Sequence, residues 1–128
     1  TVLWYAAAVE PRIAGVIAAS CFCTVAASIA SIDHCTDNYL PDMLQWLEFA
    51  DVAGAIAPRP AVLAMGREDP LFPLAGVEAA FARVRQIYRA AGAEDAARLV
   101  VGPQGHRFYA ELAWPAFTDL IGEAAPAF

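Results

Sequence analysis

The stretch Ala61-Val62-Leu63-Ala64-Met65-Gly66-Arg67-Glu68-Asp69-Pro70 opens with five consecutive apolar residues and ends on a charged, Gly- and Pro-bounded turn. A short continuous apolar run is the pattern of a strand buried on both faces, which is how parallel sheets are built. Pro58-Arg59-Pro60 before it breaks any helix. After it, Leu74 to Ala91 reads as a helix, with Val77, Phe81, Val84 and Ile87 or Tyr88 at helical spacing and Arg83, Arg85 and Arg89 over the remaining surface. Gly92 follows as a natural helix stop. Arg98 to Val101 then reads as another strand, ended by Gly102-Pro103-Gln104-Gly105-His106.

Working outward, residues 2–9 form an Ala-rich helix closed by Pro11, and Ile13 to Ala19 a further apolar strand. Ser20 to Asp42 is a mixed loop that is long for a connection, and loops of that length are often functional. Pro41 starts a helix expected to run to about Phe49, with Leu40, Leu44 and Leu47 on one side, and Asp51 caps a short helical turn before Pro58. The final helix runs from about Phe108 to Gly122, and Pro115 is expected to split it. Strands alternating with helices imply an α/β fold, one domain over residues 1–128, with a parallel sheet and helices on both faces.

Composition excludes several functions. The net charge is −6, all eight basic residues are Arg, and no basic run occurs, so neither nucleic acid nor an anionic membrane surface is an expected partner. No apolar run reaches the roughly 18 residues of a membrane span. A 59% hydrophobic content is high for 128 residues, which suggests a larger body or pairing with a second copy. Thr1 to Ala8 reads as the inside of a helix with nothing before it to cap it, so the chain is expected to be N-terminally incomplete, which leaves the compartment open. The odd count of cysteines, Cys21, Cys23 and Cys35, argues against a disulfide framework. Cys21, Cys23, His34 and Cys35 make a zinc set on paper, but their spacing fits no strong zinc pattern, so neither a metal nor another cofactor is expected.

Two strand ends carry the chemistry. In parallel α/β sheets reacting groups gather at the carboxyl ends of the strands. Asp69 and His106 follow two successive strands and therefore fall on adjacent loops. A carboxylate bonded to one imidazole nitrogen sets the tautomer, and the other nitrogen is then a general base. Read alone, Asp69 is an ordinary turn residue and His106 an ordinary helix start; the pairing in this order is what points to catalysis. Glu68 is the rival acid, expected to face solvent or to pair with Arg67.

This constellation resembles the C-terminal part of the α/β-hydrolase fold, whose triad runs nucleophile, acid, base along the chain. The resemblance covers essentially the whole sequence. Thr1–Val9 with Glu10-Pro11-Arg12-Ile13-Ala14-Gly15-Val16 looks like the helix behind the nucleophile elbow and the next strand. Gly66-Arg67-Glu68-Asp69-Pro70 and Gly105-His106-Arg107-Phe108-Tyr109 look like the acid- and base-bearing segments. Asp33-His34-Cys35, Asn38-Tyr39-Leu40-Pro41 and Ala57-Pro58-Arg59-Pro60 are most similar to the dienelactone-hydrolase and acetylxylan-esterase-like branch.

The resemblance implies a carboxylic-ester hydrolase with a Ser nucleophile and a small-molecule ester substrate. Phe22, His34, Tyr39 and Phe72 are then expected to line part of its pocket. The G-x-S-x-G elbow would fall before Thr1 and does not occur in the sequence. Ser20 and Cys21 are local alternatives, read instead as pocket or packing residues. The competing expectation is a non-catalytic remnant of the fold that acts by association with a partner or itself.

Overall fold

The computed structural model describes residues 1–124, with side chains through Gly122. Its elements are α1 (Val2–Val9), β1 (Val16–Ala19), α2 (Phe49–Gly54), β2 (Ala61–Gly66), α3 (Leu74–Ala90), β3 (Ala97–Gly102) and α4 (Ala110–Ala124). Single 3₁₀ turns sit at Thr36–Asn38, Met43–Gln45 and Glu94–Ala96. The strands form one parallel sheet in the order β1-β2-β3, with Ala61 aligned on both Val16 and Ala97, and Gly66 on Gly102. Chain neighbours are therefore sheet neighbours, and all three strand ends point the same way.

Every residue of β2 is buried, because helices cover both faces of the sheet. On one face Leu63 and Met65 join the main core with Trp4, Phe22, Phe49, Val77, Val84 and Tyr88. Trp4 organises that core, with Phe22 and Phe49 edge-on to it at 6.0 and 5.3 Å between ring centres. On the other face Val62 and Ala64 meet Ala113 and Leu120 of α4.

The first strand is shorter than its apolar run. Ile13 turns back so that its N–H donates to the Glu10 carbonyl, and its own carbonyl accepts from Arg59. Pairing with β2 begins only where the Val16 N–H donates to the Pro60 carbonyl. Arg59 also donates to the carbonyls of Ala7, Glu10 and Ile56. It thereby satisfies groups that the end of α1 leaves open and ties that helix to the start of β2.

Two expected helices differ. Residues 41–49 form no helix: Asp42 is left-handed at φ 58°, only the turn Met43–Gln45 follows, and Glu48 is extended. The Glu48 carboxylate instead accepts the N–H groups of Phe49 and Val25. Asp51 accepts the Glu48 N–H, so the helix begins at Phe49. Leu40, Leu44 and Leu47 are consequently exposed rather than ranged along a buried helix face. Pro115, in turn, does not split the last helix, which runs unbroken through it. The proline removes one bond, to the carbonyl of residue 111, on a face where Glu111 and Pro115 are both exposed and water can replace it. No helix among the described residues is long and apolar enough to cross a membrane.

Candidate active site

Asp69 and His106 are brought together by backbone contact between their loops. Gly66 and Gly102 end neighbouring strands in register. Beyond them, the Arg67 N–H donates to the Gly102 carbonyl at 2.9 Å and the Glu68 N–H to the Gln104 carbonyl at 3.0 Å. A Cβ on Gly66 would overlap the carbonyl oxygen of Gly105, so the approach requires glycine there. Tyr109 holds the base loop from its other end. Its ring lies where a Cβ on Gly102 would be, its hydroxyl donates to the Gly105 carbonyl at 2.8 Å, and it accepts the Gln104 N–H at 3.1 Å.

The resulting pair is well formed. Nδ1 of His106 lies 3.0 Å from Oδ2 of Asp69. The Asp69 side chain is fully buried, while that of His106 is 44% exposed. Oδ1 of Asp69 accepts from the N–H groups of Leu71 at 2.9 Å and Phe72 at 3.3 Å. These bonds stabilise the ionised carboxylate in a site that water does not reach. A carboxylate accepts, so the imidazole donates through Nδ1–H, and Nε2 of the neutral ring carries the lone pair. Nε2 has no hydrogen-bond partner among the described residues. Glu68 is exposed and forms no ion pair with Arg67.

The predicted pocket residues separate. Phe72 is buried, and its ring stacks on His106 at 5.8 Å and 18°. The His34 ring also packs on Phe72, 5.2 Å between ring centres and tilted by 55°. Tyr39 is exposed, accepts the His34 N–H at 3.0 Å, and borders a cavity of about 650 Å³ with Val25, Ile29, Leu40 and Met43. Neither Asp69 nor His106 borders that cavity. Phe22 is fully buried against Trp4 in the core.

None of the described hydroxyls or thiols is hydrogen-bonded to His106. Ser20 adopts a left-handed φ of 50° at the end of β1, and its hydroxyl donates to the Arg107 carbonyl at 3.0 Å. Burial pushes the Cys21 thiol up, and pushes Cys23 to about 11. Both are therefore thiols near neutral pH and poor nucleophiles. Cys21, Cys23, His34 and Cys35 do not converge: among the described residues no three His, Cys, Asp or Glu side chains are grouped to hold a metal ion. Ser28, which sequence reading did not single out, is fully buried, accepts from His34 Nε2 at 2.9 Å and donates to the Leu71 carbonyl at 2.6 Å. A small serine in an Ala-rich loop carries no signal that would have marked it.

Neither a protein-family model nor a curated protein matches the sequence. Solved structures do. A carbohydrate esterase family 15 glucuronoyl esterase from Caldicellulosiruptor kristjansonii matches 80% of the chain with a TM-score of 0.65 at 17% identity. The methylesterase BT1017 matches 94% of the chain with a TM-score of 0.64 at 21% identity. The matches span 35% and 27% of those two proteins, so the chain corresponds to about a third of their length. The chain has the fold of part of an α/β-hydrolase, and its structural neighbours are esterases.

Proposed function

We propose that Asp69 and His106 are the acid and base of a serine carboxylic-ester hydrolase. The observation that carries this reading is their 3.0 Å hydrogen bond, formed between the ends of adjacent parallel strands with the carboxylate sealed and the imidazole open. The nucleophile is a serine supplied from outside these 128 residues. Nε2 of His106 accepts its proton as the serine oxygen attacks the ester carbonyl. Asp69 keeps Nδ1 protonated and stabilises the imidazolium that forms. Collapse of the tetrahedral intermediate releases the alcohol, which takes that proton, and leaves an acyl-enzyme. Water, deprotonated by the same imidazole, then frees the acid.

The esterase character of the structural neighbours supports the substrate class. The exposed edge of His106 fits a small-molecule ester approaching from solvent. Phe72, stacked on His106, and His34, packed against Phe72, would form one side of the site. The dienelactone-hydrolase and acetylxylan-esterase-like branch rests on the stretches Asp33–Cys35, Asn38–Pro41 and Ala57–Pro60.

The test is hydrolysis of a p-nitrophenyl ester by the intact protein and by its His106→Ala variant. The variant should lose at least about a thousandfold in kcat, as loss of a triad base does. An unchanged rate would mean that His106 is not the base.

A further inference from the structure

We infer that Ser28 and His34 are positioning residues that set the plane of the His106 ring through Phe72. The inference rests on the ester-hydrolase reading and adds to it two residues outside the acid and base loops. A hydrogen bond to Asp69 fixes where Nδ1 sits, but it leaves the imidazole able to turn about that bond. The direction of Nε2, which must meet the nucleophile, needs a second constraint.

Phe72 supplies it, because its ring lies nearly parallel to the imidazole, 18° between planes. Phe72 is itself held at two points. Its backbone N–H donates to Asp69 Oδ1, and its ring packs against His34 at 5.2 Å. The placement of His34 depends in turn on Ser28. The Leu71 carbonyl can only accept, so it takes the single Ser28 hydroxyl proton at 2.6 Å. Ser28 Oγ therefore accepts at 2.9 Å from His34, which carries its proton on Nε2.

The contacts close a ring: Asp69, the Leu71–Phe72 backbone, Ser28, His34, the Phe72 side chain, His106 and back to Asp69. Aromatic residues aside, Ser28 and Asp69 are the buried polar side chains among the described residues, and both belong to this ring. A buried polar group without a structural or chemical task is costly, and a fully satisfied network imposes one arrangement. The same bonds dispose of Ser28 as a nucleophile: its hydroxyl is buried and its proton is committed to Leu71.

The test compares Ser28→Ala, His34→Phe and the double variant with the wild type in the intact protein. His34→Phe keeps a ring against Phe72 and loses only the donor to Ser28. It is half-buried, so it remains informative if Ser28→Ala fails to fold. Each single change should lower kcat for a p-nitrophenyl ester by about tenfold with KM held within about twofold, since small misplacement of a reacting group costs rate rather than binding. The double variant should lose no more than the more impaired single one, because both cut the Ser28–His34 link. The His106 ring protons, shielded by the stacked Phe72, should move downfield in each variant.

A lowered melting temperature with kcat and the His106 resonances unchanged would overturn the inference, as would losses that multiply in the double variant. His106→Ala separates the two levels. If it abolishes activity while the Ser28 and His34 variants keep full kcat, the positioning role alone fails. If it leaves activity intact, the ester-hydrolase reading beneath it fails.

Discussion

A methyl group on Gly66 would meet the Gly105 carbonyl oxygen, which is rigid backbone. The acid and base loops would have to separate, lengthening the Asp69–His106 bond. Gly66→Ala should destabilise the protein by about 2–3 kcal/mol by overpacking, and should reduce hydrolysis further than the stability loss alone explains. Urea unfolding and steady-state kinetics on the same preparation check both.

A second expectation at this scale concerns the thiols. Burial raises Cys21, and Cys23 to about 11, while Cys35 is exposed. At pH 8 an alkylating reagent should label Cys35 first, and peptide mapping should find Cys21 and Cys23 modified only on unfolding. Early loss of activity through Cys21 labelling would restore that residue as a candidate nucleophile.

The meeting of Asp69 and His106 was legible in the sequence. Either residue alone reads as an ordinary turn or helix-start residue; the pair was legible because each follows one of two successive strands. Ser28 and Tyr109 were not legible in this way. Their importance comes from the carbonyls of Leu71, 43 residues from Ser28, and Gly105, four residues from Tyr109, and backbone carbonyls carry no sequence signature.

At the scale of elements, legibility followed burial. The fully apolar β2 and the strongly amphipathic α3 were readable because burial on both faces, or on one stripe, writes a period into the sequence. Gly92, at φ 72°, ends the α3 region as its position suggested. Residues 41–49 misled because Leu40, Leu44 and Leu47 mimic a helical stripe, whereas the local bonds of Asp42 and Glu48 favour a turn and then a cap. Propensity is a weak prior where no packed face enforces it.

Two elements yield measurable expectations. Arg59 donates to four carbonyls at the junction of α1 and β2. Those of Glu10 and Ile56 also accept backbone N–H groups, so Arg59→Met strands the carbonyls of Ala7 and Ile13 and should cost about 2–3 kcal/mol, read by chemical denaturation. The end of α3 is tied to the following turn through Glu94, which Arg89 and Arg85 hold down to about 2. A lowered folded-state value means that this contribution is complete above the ordinary 4.5 and disappears as pH falls through about 2. The stability gap between wild type and Glu94→Gln should therefore narrow across that acidic window, and high salt should narrow it at neutral pH because the cluster is at the surface.

For the whole molecule, sheet order and the sidedness of the helices followed from the alternation of strands and helices, since right-handed parallel crossovers leave few alternatives. The proposed reaction needs a nucleophile beside Asp69 and His106, and among the described residues no hydroxyl or thiol is bonded to His106. The 128-residue polypeptide on its own should therefore show no turnover of a p-nitrophenyl ester. Turnover abolished by Ser20→Ala or Cys21→Ala would show that the nucleophile lies within it.

In the proposed hydrolase, Asp69 holds His106 with its proton on Nδ1 and its lone pair on Nε2, ready to take a proton from a serine. Nitrogen-15 NMR of the imidazole, at a pH where the ring is neutral, reads this tautomer directly. Nδ1 should be protonated and Nε2 unprotonated in the wild type, with that preference lost in Asp69→Asn. A wild-type His106 protonated on Nε2 would contradict this arrangement.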